Sequence, residues 1–147
     1  MTCLECKNEL SHIELKNAID AFGVELCAKH QVRLNKLILK NKTPKEAIQL
    51  YYGLKEKNVT PMLEWWDGKK SVDIAISRVK LNIEIDTEYN MLTHEQALND
   101  LEEAMHSFKN GFTTIKIPND LIRHHFNETI NNIMGIVEGL HANIKKI

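Results

Sequence analysis

Polar and apolar positions alternate most clearly over residues 72–86, VDIAISRVKLNIEID. Two strands are predicted there, 72–77 and 80–86, joined by a turn near Arg78. In the second, Ile83 and Ile85 fall on one face and Glu84 and Asp86 on the other. Upstream, Thr43 reads as the cap of a helix with Pro44 in its first turn and Glu46 at the capping-box position. That helix runs to about Lys57 and buries Ala47, Ile48, Leu50, Tyr51 and Leu54. Residues 61–66 read as a strand, and Asp67-Gly68 as a hairpin turn into 71–77. Downstream, 87–92 is a loop and Thr93 caps a helix from His94. Its Ala97, Leu98, Leu101, Ala104, Met105 and Phe108 recur with a 3.6-residue period that predicts an inward face. Asn110-Gly111 stops it. Residues 112–117 form a fourth strand ended by Pro118. One long helix then runs from Asn119 to about Ile144, with Ile122, Phe126, Ile130, Ile133, Val137 and Leu140 inside.

The order from Thr43 is therefore α-β-β-β-α-β-α. A right-handed crossover over helix 94–109 lets the last strand join the third. The expected fold class is α/β (α+β), a small four-stranded mixed sheet flanked by helices.

The first forty residues are different. Cys3-x-x-Cys6 and Cys27-x-x-His30 are separated by twenty residues, the spacing of a structural Cys3His zinc site, each pair set on a tight turn. His12 is a spare ligand if His30 is not the fourth. Three cysteines do not make a disulfide framework, and the segment is too poor in apolar residues to fold without a metal. Residues 31–41 form an amphipathic helix. Val32, Leu34, Leu37 and Ile38 lie mostly on one side, and Arg33, Lys36 and Lys40 at helical spacing on the other. That basic face reads either as a contact for nucleic-acid phosphates or as a solvated surface. A boundary near 41–43 divides the chain into a zinc-finger-like segment with its basic helix, 1–41, and a second domain, 43–147.

Composition narrows the class. The chain has 147 residues, is 43% hydrophobic and 27% charged, and carries a net charge of −1, the profile of a globular domain. It has neither an apolar signal core at its start nor a run long enough to span a bilayer, so the expectation is a cytoplasmic protein. Charge is segregated: residues 28–45 hold six Lys or Arg and no acid, whereas 81–108 hold seven acids and no Lys or Arg. A basic arm beside an acidic centre suits a protein that holds a polyanion around a metal. Carboxylates on an otherwise apolar strand point the same way, because buried charge needs a partner or an ion.

Asp73 in VDIAIS, Glu84 and Asp86 in NIEID, Gln96 and Asp100 in HEQALNDLEEA, and Lys116 in GFTTIKIP follow one another in a familiar order. In this order residues 43–140 resemble the PD-(D/E)XK, or restriction-endonuclease-like, nuclease superfamily. They are most similar to small bacterial proteins related to very-short-patch repair endonucleases. The resemblance implies an αβββαβ core and metal-dependent hydrolysis of DNA. Asp73, Glu84 and Asp86 would hold Mg²⁺ or Mn²⁺, Lys116 would supply the cation, and Glu46 or Glu64 would assist. The chain also departs from that pattern. Asp86 stands where the superfamily has its lysine, Thr87 replaces a glycine, and the histidine expected within TEYNMLTH is displaced. Glu102-Glu103 replace a basic pair, and Lys116 an arginine. Two functions follow: a DNA endonuclease, or a catalytically inactive, nuclease-derived regulator that binds nucleic acid or a protein partner. The partners expected of the chain are DNA and, besides it, a protein or a second copy in a homodimer.

Overall fold

The computed structural model describes residues 1–87 and 93–145; most of the loop expected at 87–92, with the displaced-histidine region, lies outside them. The chain begins with a turn in which Lys7 N–H donates to Cys3 O and Cys3 N–H to Asn8 O, both at 2.9 Å, closed by a bridge between Thr2 and Glu9. Three helices follow: α1 (His12–Phe22), α2 (Ala28–Asn41) and α3 (Lys45–Lys55).

Helix α1 was not expected from the sequence, although its start signal is present. Ser11 accepts from Glu14 N–H while the Glu14 carboxylate accepts from Ser11 N–H, a complete capping box. It ends at Gly23, whose φ of 71° would strain any other residue and whose missing side chain leaves room for the end of Gln49. Helix α2 begins earlier than its amphipathic period suggests. Its cap is Cys27, so Cys27-x-x-His30 is a helix start and not a turn.

Strands β1 (Met62–Trp66), β2 (Ser71–Ile76) and β3 (Leu81–Asp86) form an antiparallel meander. A short 3-10 turn, Ser77–Val79, joins the last two. Helix α4 (His94–Lys109) then carries the chain across to β4 (Thr113–Pro118), which pairs parallel with β3. The sheet order is β1-β2-β3-β4, and with α3 it completes the expected αβββαβ core. The long C-terminal helix is two helices, α5 (Asn119–His124) and α6 (Phe126–Lys145). The break at His125 lets Phe126 pack into the space left by Gly53 of α3, a tertiary contact that overrides helix continuity.

One face of the sheet is the main core. Ile74, Ile76, Leu81, Ile83 and Ile85 meet Ala47, Leu50 and Leu54 of α3 and Ile130 and Ile133 of α6. A second cluster joins Cys3, Ala18, Phe22, Leu26, Cys27 and Leu34 to Ile48 and Tyr52. Helix α3 thus belongs to both cores. Its expected cap is absent: Thr43 is turned inward to Glu64, and Glu46 pairs with Arg123 at 2.8 Å.

The other sheet face is polar, and this reverses the expectation for α4. Its apolar residues do not face inward: Leu98, Leu101, Met105 and Phe108 are all more than half exposed. The side turned to the sheet carries Asp100, Glu103 and Ser107. The reason is the strands beneath, which present Asp73, Asn82, Glu84 and Lys116 and are better satisfied by ion pairs than by leucines.

Candidate active site and metal centre

Strand register assembles the acids. Glu64 lies between the Leu63–Ile74 and Trp65–Val72 pairs, and so opposite Asp73. One step beyond the Ile74–Ile83 pair, Asp73 falls opposite Glu84. Glu84 in turn pairs with Lys116 in β4. One residue from each strand, Glu64, Asp73, Glu84 and Lys116, therefore forms a row across the polar face. Asp86, two residues beyond Glu84, leaves the same face opposite Pro118.

Each acid in the row is held. Glu64 has a φ of 52°, a left-handed conformation costing a non-glycine residue roughly 1–2 kcal/mol. Its carboxylate accepts from the hydroxyls of Thr43 and Ser71, both at 2.6 Å. Asp73 Oδ2 accepts the Ile85 N–H at 2.8 Å, beyond the last residue pair of β2 and β3. Burial raises the Asp73 carboxyl, the Ile85 N–H works against it, and the neighbouring charges of Glu64 and Glu84 raise it further, to about 6. Glu84 receives Lys70 at 2.7 Å, and the same ammonium reaches Glu103 of α4 at 2.6 Å. Lys116 is paired with Asp100 of α4 at 2.7 Å. Lys70, Glu84, Asp100, Glu103 and Lys116 line a cavity of about 190 Å³, with Thr114 and Ser107 at its wall.

Lys70 was missed in the sequence. It stands three residues before Asp73, the wrong parity for one strand face, and reaches the row only because Asp67 turns the chain. The Asp67 carboxylate accepts from the N–H groups of Lys69 and Lys70, each at 2.8 Å. Glu64, named as a helper, is in the row, whereas Glu46 is occupied by Arg123. The chemistry of the donors suits a hard divalent cation: all are carboxylate oxygens, and Asp73 bears an electrostatic cost that such an ion relieves. Their present spacing is looser than a closed site. Among the described residues, the N-terminal cysteines and histidine are the one group of three or more metal-ligating side chains whose ligand atoms all lie within 4.8 Å of one another.

That N-terminal centre is compact. Cys6 Sγ lies 3.8 Å from Cys27 Sγ, and His30 Nδ1 lies 3.6 Å from Cys3 Sγ and 3.1 Å from Cys27 Sγ. Tetrahedral zinc with bonds of about 2.3 Å to sulfur and 2.0–2.1 Å to nitrogen separates its ligands by about 3.8 and 3.6 Å. The four residues fit such a metal. His12 begins α1 and is not part of this group. Burial works against the Cys3 thiolate, but the backbone N–H groups of Cys27, Cys6 and Glu5 outweigh it and lower the thiol to about 6. Glu14 ties the centre together, its second carboxylate oxygen accepting the Ala28 N–H at 2.9 Å at the start of α2.

On α2, Leu34 is buried and Leu37 and Ile38 pack against the second core, while Val32 is 55% exposed. Arg33, Lys36 and Lys40 are exposed, and among the described residues none of the three makes an ion pair with an acid. No helix among the described residues is long and apolar enough to cross a membrane.

No family description matches the sequence, and no curated protein matches it. Among solved structures, the homing endonuclease I-Bth0305I catalytic domain is similar, with a TM-score of 0.54 and 14% identity. The match covers 65% of this chain and 95% of that domain. The likeness is one of fold: a mixed sheet flanked by helices, shared with a nuclease catalytic domain.

Proposed function

We propose that the protein is a metal-dependent DNA endonuclease whose site is the carboxylate row. The observation that carries this reading is that Asp73, bonded to the Ile85 N–H just past the β2–β3 ladder, is a half-buried acid near the half-buried Glu84, whose charge raises its carboxyl. Asp73 and Glu84, with Asp86 on the same face, would hold Mg²⁺ or Mn²⁺. A divalent ion there would make a water molecule more acidic and offset charge on the scissile phosphate. Lys116, one strand from Glu84, would supply a further positive charge to the phosphate once released from Asp100. Glu64, fixed by Thr43 and Ser71, would keep Asp73 oriented and its proton affinity high. Zinc in the Cys3, Cys6, Cys27 and His30 centre would have a structural role, with four protein ligands leaving no open position. It would organise residues 1–41 as a unit that presents Arg33, Lys36 and Lys40 to nucleic-acid phosphates, beside a nuclease-like domain at 43–147. We place this activity in the cytoplasm.

One observation favours a second reading. Lys70 already neutralises Glu84 and Glu103, as expected of a nuclease-derived regulator that binds without cleaving. Incubation with single- and double-stranded DNA decides between them. Cleavage that requires Mg²⁺ or Mn²⁺ and disappears in Glu84→Ala supports the enzyme. DNA binding without cleavage by the parent supports the regulator.

A further inference from the structure

Helix α4 turns a continuous apolar stripe to solvent. Leu98, Leu101, Met105 and Phe108 are 56%, 68%, 51% and 75% exposed. Single exposed leucines need no explanation, but a contiguous row along one helix marks an interaction surface. The steps between these residues are 3, 4 and 3, the a/d seam of a helix that pairs with another helix. Among the described residues nothing covers it. We propose that this stripe is the interface of a symmetric homodimer, in which α4 packs antiparallel against α4 of a second copy.

The residues beside the stripe select that occupant. A two-fold axis near position 103 sets Leu98 against Phe108 of the partner subunit and Leu101 against Met105 of the partner subunit. On one flank are Ala97 and Ala104, small enough to let two helix backbones approach closely. On the other are Glu95, Glu102 and Lys109, all exposed. Antiparallel pairing brings Glu95 to Lys109 of the partner subunit and repeats that ion pair through the axis, two attractive contacts against one repulsive one where Glu102 meets its own copy. Parallel pairing sets these charges against alanines and forms neither pair. The two ends of that flank are complementary to each other in one orientation, and the two ion pairs offset the repulsion between the Glu102 side chains at the axis, the pattern of an isologous interface. The helix is already ordered on its domain, so association does not have to fold it. Its opposite side holds Lys70 and Lys116 through Glu103 and Asp100, so the dimer would fix the roof of the carboxylate row. The proposal stands whether or not that row is catalytic.

Sedimentation of the full chain at low salt, from nanomolar to 100 micromolar concentration, tests it. The expected result is a reversible monomer–dimer equilibrium. Leu101→Glu should raise the dissociation constant about 100-fold or more, since it buries an unpaired carboxylate, while leaving the circular dichroism spectrum unchanged and removing the concentration dependence of the melting temperature. Glu95→Lys should raise it roughly tenfold, and adding Lys109→Glu should restore it. A parent that stays monomeric throughout overturns the proposal. So does a dimer indifferent to Leu101→Glu, or a charge-swapped double variant no tighter than Glu95→Lys.

Discussion

Lys70 Nζ lies 2.7 Å from Glu84 Oε1, a tethered cation at the point where the acidic row would receive a free one. Burial opposes the charge on Lys70, but Glu103 and Glu84 more than compensate, and its pKa stands above the ordinary lysine value. The ammonium therefore competes with any metal for Glu84.

Removal of that competitor is expected to open the site. Lys70→Met should bind Mg²⁺ about tenfold more tightly than the parent, an advantage of about 1.4 kcal/mol, by titration calorimetry at pH 8. Equal affinities would show that Lys70 yields to the ion at no cost.

Asp73 ties stability to pH. Its folded pKa is raised from 3.8 to about 6, so the folded state holds this proton more tightly than the unfolded chain. The corresponding stability is complete below about pH 4 and lost as pH rises through about 6. Without added Mg²⁺ or Mn²⁺, Asp73→Asn keeps an acceptor for the Ile85 N–H and removes the loss. It should exceed the parent at pH 8 by up to roughly 3 kcal/mol and approach it at pH 4, by urea denaturation. A difference between the two proteins that does not vary with pH would rule out this titration.

Purified, reduced protein should contain about one equivalent of zinc by elemental analysis. Cys27→Ser should lose it and melt lower, because metal binding contributes folding free energy to the segment. Because Ile48 and Tyr52 pack into the same cluster, the loss should reach α3 and show as reduced amide-exchange protection there. Full zinc content in Cys27→Ser would exclude that residue as a ligand.

Charge reversal of Arg33, Lys36 and Lys40 should weaken DNA binding and lower the slope of log affinity against log salt by about 2–3, close to 0.9 for each phosphate no longer neutralised. Fluorescence anisotropy across a salt series measures both. An unaltered slope would make α2 a solvated face.

Much of this architecture is written in local spacing. The alternation of Ile83 and Ile85 with Glu84 and Asp86 follows from strand geometry and holds whatever the neighbours are. Thr93 does cap α4, accepting the Gln96 N–H at 3.1 Å, and the Cys and His spacings were enough to choose the four residues that converge. Ser11 and Glu14 are equally readable as a capping box.

What the sequence could not decide is which surroundings each face meets. The period of α4 defines an apolar stripe but not its direction. The direction follows from the polar face of the sheet, itself a product of strand register that brings Asp73, Glu84 and Lys116 together from three strands. Lys70 reaches Glu84 through a turn that breaks strand parity, Thr43 leaves its helix to bind Glu64, and the helix break at His125 serves a contact with Gly53. Periodicity belongs to one element and is set by its own backbone. Partners are chosen by the desolvation of charges and the filling of space between elements distant in sequence, and those terms exist only once the chain has folded.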